Sequence, residues 1–144
     1  MPTIPVLAFC LLTAAELHQV PSEGLLALME VERGWDGAEV RNTNGTFDLG
    51  RWQVNSGEVQ RLADKWNVDK KAAYRLIRDD ACLNVHAAAD ILKQKIDGAN
   101  GNLLVGLAHY NSANPKYGVP YLRKVLRAIL RQREVAERAQ EARR

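Results

Sequence analysis

Apolar side chains recur at three- and four-residue steps through most of this chain, the spacing that gathers them on one face of a helix. The first run holds Val6, Leu7, Cys10, Leu11, Ala14 and Leu17, and it predicts a core helix. A second helix opens at Pro21, whose ring fits a first turn, and stops at Gly34, a residue suited to the left-handed position after a helix. Helices follow over about 57–67 (Val59, Leu62, Ala63, Trp66), 69–78 (Ala72, Ala73, Leu76) and 80–96 (Cys82, Val85, Ala89, Leu92, Ile96), and Gly98 and Gly101 then break the pattern. A short helix from Leu103 to His109 leads into Tyr110-Asn111-Ser112-Ala113-Asn114-Pro115, and a last helix runs from Val119 into a basic end. Only residues 42–55 read as β structure: they are rich in turn formers, with Asn44-Gly45 as a tight-turn signal. The fold class is therefore mainly α, a single helical domain over 1–130 with one small β-hairpin near 42–55, followed by a basic helical tail over 131–144.

Composition narrows this picture. With 144 residues, 47% of them apolar, the chain suits one domain with a continuous core. Lys and Arg number 20 against 17 Asp and Glu, but Arg131, Arg133, Arg138, Arg143 and Arg144 crowd the end, and without them the chain is near neutral. That balance suits an anionic partner without selecting one. The longest apolar run, Ile4 to Ala15, is shorter than the roughly 20 residues of a membrane-spanning helix. As a secretory signal it lacks the usual basic start, since only Met1-Pro2-Thr3 precede it, so a first core helix is the preferred reading. Cys10 and Cys82 are too few for a zinc signature, and His18, His86 and His109 show no ligand spacing. Neither a metal nor a cofactor is expected.

One carboxylate sits where a carboxylate is costly. A helix over 21–33 places Leu25, Leu28, Met29 and Glu32 on one stripe and Glu23, Ala27 and Glu30 on the other side. Burial and the negative end of the helix dipole both raise the pKa of Glu32, which prepares it to protonate a departing oxygen. The plainer alternative is a solvated helix end paired with Arg33 or Arg41.

Four segments weigh on that choice. The run Val20-Pro21-Ser22-Glu23-Gly24-Leu25-Leu26-Ala27-Leu28-Met29-Glu30-Val31-Glu32-Arg33-Gly34 resembles the stretch that carries the catalytic glutamate in goose-lysozyme-like soluble lytic transglycosylases. Asn42 to Asn55 is similar to that family's Gly-Leu-Met-Gln segment with its leading Asn-Gly turn, Gln53 being the matching glutamine. Asp80-Ala81-Cys82-Leu83-Asn84-Val85 resembles the opening of its central helix, and Ala108-His109-Tyr110-Asn111 its Ala-Tyr-Asn motif. The order and spacing of all four agree over roughly residues 7–130, and the likeness is nearest to small specialised transglycosylases of secretion, pilus and conjugation machinery. The chain departs from the pattern at Arg33, where the family usually has Ser, at Arg51-Trp52, and at His109.

The resemblance implies a lysozyme-like fold and a lytic transglycosylase acting on peptidoglycan glycan strands. Glu32 is the implied single acid and base, with Gln53, Tyr110, Asn111 and Trp52 as substrate-binding residues. Tyr110 is expected to hydrogen-bond near the reacting centre or to hold Glu32. Trp35, Trp66, Tyr117 and Tyr121 are aromatics able to stack on sugars, more commonly core or groove wall. Asp36 or Asp48 is the available second carboxylate if the reaction is hydrolysis. In an oxidising compartment Cys10 and Cys82 can pair, tying the first helix to the central one, as similar disulfides do in the family. The implied location is the periplasm or cell envelope, the implied partner beyond the glycan an envelope-spanning machine, and the chain a monomer without nucleic-acid binding. The rivals are a basic helical nucleic-acid module built on the arginines of the last helix and a non-catalytic peptidoglycan-binding relative.

Overall fold

The computed structural model describes residues 2–144, which form seven α-helices and a small sheet. The helices are α1 (Ile4–His18), α2 (Ser22–Glu32), α3 (Val59–Trp66), α4 (Lys70–Asp79), α5 (Ala81–Gly98), α6 (Leu103–Asn111) and α7 (Pro115–Ala142). Between α2 and α3 lie β1 (Glu39–Arg41), β2 (Phe47–Leu49) and β3 (Val54–Asn55), antiparallel in the order β1-β2-β3. The mainly α, lysozyme-like class expected from the sequence holds, with a third strand added to the expected hairpin.

Helix α5 is the axis. Val85, Ala87, Ala88, Ala89 and Leu92 are buried on several sides of it, and the run of alanines lets α1, α4 and α6 approach closely. Its start is fixed by Asp80, whose side chain accepts from the Leu83 N–H at 3.0 Å. Asp69, Asn102 and Asn114 cap α4, α6 and α7 in the same way. Asp90, buried on α5, receives Arg61 (2.7 Å) and Lys65 from α3; burial alone would raise its carboxyl, but these two cations hold it below the ordinary range. The disulfide Cys10–Cys82 joins α1 to α5, with 5.2 Å between the Cα atoms.

Several expectations need correction. On α1 the buried stripe is Cys10, Leu11, Ala14 and Ala15, while Val6 and Leu17 face solvent, because only one flank of the helix meets α5 and α2. On α4 Ile77 rather than Leu76 enters the core. On α2 Ala27 is fully buried beside Leu25 and Leu28, since the helix packs against α1, α5 and α7 at once. The left-handed residue ending α2 is Arg33 (φ 55°), not Gly34. Helix α7 begins at Pro115 rather than Val119, started by the Asn114 cap, and continues through Pro120 and on past residue 131 without a break. In the sheet, Asn44-Gly45 does form the tight turn, but it joins β1 to β2, and β2 then pairs with β3 through Asp48↔Asn55 and Leu49↔Val54.

Candidate active site

The last turn of α2 carries Glu32 to the edge of a cleft. Leu25 and Leu28, fully buried, anchor the stripe on which Glu32 lies one turn further on. The chain then turns sharply: the Arg33 N–H closes on the Met29 carbonyl at 3.1 Å, and Gly34 passes against the loop after β2. A Cβ at Gly34 would fall 2.0 Å from the Gly50 carbonyl oxygen, so only glycine permits this approach. That contact sets α2 and the sheet at a fixed separation.

From the opposite side the Tyr121 hydroxyl on α7 donates to Oε1 of Glu32 at 2.7 Å. Burial pushes the Glu32 carboxyl up to about 7; the Tyr121 hydrogen bond works against this, and the negative charge of Asp48 adds to it. Burial also lifts the phenols of Tyr110 and Tyr121 well above their ordinary value, so both remain protonated donors. Glu32 is thus a half-buried carboxyl that exchanges its proton near neutrality.

The cleft encloses about 660 Å³. Glu32 and Asp48 share it with Gln53, Asn42, Asn55, Lys95, Tyr110 and Asn111, a largely polar wall matched to a ligand rich in hydroxyl and amide groups. Asp48 is held on β2 by the Asn42 and Asn55 amides, which donate to Oδ1 at 3.0 and 3.2 Å. Asp36, the other carboxylate singled out from sequence, is paired with Arg51 at 2.6 Å and does not line the cleft.

Gln53 lines the cleft from a left-handed backbone position (φ 51°), with Nε2 donating to the Gly50 carbonyl at 2.9 Å. Tyr110 lines it too, but its hydroxyl donates to the Trp52 carbonyl at 2.8 Å and so braces the β2–β3 loop, leaving the grip on Glu32 to Tyr121. Asn111 stands exposed at the end of α6, on the rim. Trp52, expected on the sugar-facing wall, is fully buried. Its indole N–H donates to the Leu25 carbonyl at 2.8 Å and its backbone N–H to the Asn84 side chain at 2.8 Å, so it locks the loop onto α2 and α5. Asn84 completes this lock by donating to the Leu49 and Ile77 carbonyls at 2.9 and 2.8 Å. The cysteines are bonded to each other outside the cleft, and no group of three metal-ligating side chains gathers among the described residues.

Two residues stand out that the sequence reading did not assign. Asn84 is nearly fully buried and polar, with each of its side-chain hydrogen bonds going to another element. Tyr121 had a visible signal: it shares the buried face of α7 with Val125 and Ala128, and a phenol on an apolar stripe needs a polar partner.

A family model described as the transglycosylase SLT domain matches residues 9–118, from within α1 to the first turn of α7, and so takes in the cleft residues from Glu32 to Asn111 while ending just short of Tyr121. Over 88 residues the chain is 32% identical to Protein IpgF of Shigella flexneri. It is 33% identical to Protein IpgF of Shigella sonnei over the same length. Each alignment covers 60% of this chain and 55% of the relative, so the chain spans about half the length of the curated relatives it matches. The half-buried glutamate at a helix end, the cleft it lines together with residues of the sheet, and the family match over most of the sequence lead to one assignment: this chain belongs to the transglycosylase SLT domain family.

Proposed function

We propose that the chain is a lytic transglycosylase that cuts the β-1,4 bond between N-acetylmuramic acid and N-acetylglucosamine in peptidoglycan and leaves 1,6-anhydromuramyl ends. The observation that carries this reading is Glu32: a carboxyl in the cleft wall with its proton affinity raised to about 7 and one oxygen held by Tyr121. Such a group is protonated often enough to act as an acid and ionised often enough to act as a base. In the first step Glu32 gives its proton to the glycosidic oxygen, the C1–O bond breaks, and the neighbouring acetamido group supports the positive charge at C1. In the second, ionised Glu32 takes the proton of the C6 hydroxyl as that oxygen bonds to C1. The ring closes, Glu32 is protonated again, and no water is consumed.

Within this proposal Gln53 and Asn111 offer amide groups to sugar hydroxyl or acetamido groups, and Tyr110 acts by holding the loop that presents Gln53. The site of action is the periplasm or cell envelope, where the substrate lies, and service to a secretion, pilus or conjugation machine belongs to the same proposal. A monomer without metal, cofactor or nucleic acid suffices for it.

One observation favours a second reading. Asp48 lines the same cleft as Glu32, and a pair of carboxylates is what a hydrolase uses, one as acid and one as nucleophile or base. Mass spectrometry of the muropeptides released from purified sacculi separates the two. Anhydromuramyl products support transglycosylation; products heavier by one water show hydrolysis and overturn it.

A further inference from the structure

A second cavity of about 480 Å³ lies between the end of α2 and the outer face of α7, walled by Glu30, Val31, Arg33, Lys124, Arg127 and Arg131. Four of these side chains are cationic. Glu30 is already engaged: Arg131 donates to it at 2.9 Å and Gln132 at 3.1 Å, and the Arg131 contact above all holds its carboxyl below the usual range. Arg33, Lys124 and Arg127 form no ion pair and no side-chain hydrogen bond among the described residues. The carbonyls at the end of α2 offset only about half a charge. Three cations converging on one hollow repel each other, and that repulsion is relieved by a bound anion.

The position of this hollow narrows the choice of anion. Arg33 directly follows Glu32, and Lys124 stands three residues along α7 from Tyr121, whose hydroxyl touches Glu32. Three residues of helix rise about 4.5 Å. The two cavities therefore both border the last turn of α2, Glu32 lining one while Val31 and Arg33 line the other. In peptidoglycan the sugar rings are neutral; the negative charge sits on the carboxylates of the stem peptide, which hangs from the muramic acid whose C1 bond is cut. An anionic lipid would bring phosphate, but apart from Val31 the cavity offers no apolar side chain to its acyl chains.

We propose that this basic cavity receives the carboxylates of the stem peptide, which makes peptide-bearing glycan, rather than denuded glycan, the preferred substrate. The inference rests on the reading of the chain as a glycan-cutting enzyme and gives that reading a substrate class. It also gives Arg33 a task that a serine at this position has no charge to perform.

The test reads binding, so it stays separate from the reaction. A soluble N-acetylglucosaminyl-N-acetylmuramyl tetrapeptide and the same disaccharide stripped of peptide by an amidase, which leaves one lactyl carboxylate, are titrated into the protein and followed by NMR. The same titrations are run on Arg33→Gln/Lys124→Gln/Arg127→Gln, whose fold is checked by circular dichroism; all three positions are exposed. The native chain should bind the tetrapeptide form about tenfold more tightly, less so at high salt, and the triple variant should lose that preference. Equal binding of the two ligands, binding of neither, or a preference kept by the triple variant overturns the proposal. So does binding to phosphatidylglycerol vesicles that the triple substitution abolishes while the two disaccharides remain undistinguished, since the cavity then reads lipid phosphate. Failure of the transglycosylase reading shows elsewhere, as absence of anhydromuramyl products from sacculi.

Discussion

If Glu32 is a carboxyl kept partly out of water, then replacing it with Gln should make the protein more stable while disabling it, and the gain should depend on pH. Glu32 moves from an ordinary value of 4.5 to about 7, chiefly through burial. Because the folded state holds the proton more tightly than the unfolded one, the group's favourable contribution is complete below about pH 4.5 and is lost as the pH rises through 7. At about 1.4 kcal/mol per pH unit the full loss is about 3 kcal/mol, reduced to about 2–3 kcal/mol because water reaches part of the side chain. Gln has the same shape, cannot ionise, and still accepts from the Tyr121 hydroxyl. Native protein and Glu32→Gln should therefore be nearly equal in stability at pH 4 and diverge to about 2–3 kcal/mol at pH 8, or roughly 8 °C in Tm. Urea unfolding followed by circular dichroism at several pH values, disulfide intact, measures this directly. Stability curves that run parallel from pH 4 to pH 8 would refute the claim that Glu32 is a desolvated acid.

Tyr121→Phe removes the hydroxyl that lowers the proton affinity of Glu32, so the alkaline limb of the pH–rate profile, where the acid loses its proton, should move to higher pH and kcat fall on the order of tenfold, with KM little changed. Asp48→Asn keeps the oxygen that accepts from Asn42 and Asn55 but removes the charge; digestion within about tenfold of the native rate is expected, whereas a loss of about a thousandfold in kcat would show that Asp48 takes part in the chemistry. Reduction of Cys10–Cys82, which spans 72 residues of sequence, should cost about 4 kcal/mol through the freedom returned to the unfolded chain, read as a lower urea midpoint in dithiothreitol.

The parts of this molecule that were legible in its sequence are those set by local spacing. Leu25, Leu28 and Glu32 could be placed on one stripe because a helix repeats every 3.6 residues, and Asn44-Gly45 could be read because tight turns are decided within a few residues. What escaped depends on distant partners. Trp52 reads as an aromatic in a loop, and nothing near it announces that its indole will meet the Leu25 carbonyl, 27 residues away. Tyr121 lies 89 residues from the carboxyl it holds. Gly34 was read as a helix stop on its backbone freedom, but its lack of a Cβ is needed for contact with Gly50, and so Arg33 takes the left-handed position instead. The sequence places the start of the last helix at Val119, although the Asn114 cap has already started it at Pro115. Of the proposed site, Glu32, Gln53, Tyr110 and Asn111 all line the cleft; of the two roles open to Tyr110 in the sequence, hydrogen-bonding near the reacting centre or holding Glu32, the second falls to Tyr121.

The most direct measurement is the release of soluble muropeptides from purified sacculi by the native chain and by Glu32→Gln, side by side at pH 6 with folding verified for both. Transfer of one proton out of and back to Glu32 predicts steady release by the native chain and a fall of about a thousandfold or more in the variant. Release by the variant at a rate close to that of the native chain would contradict the account.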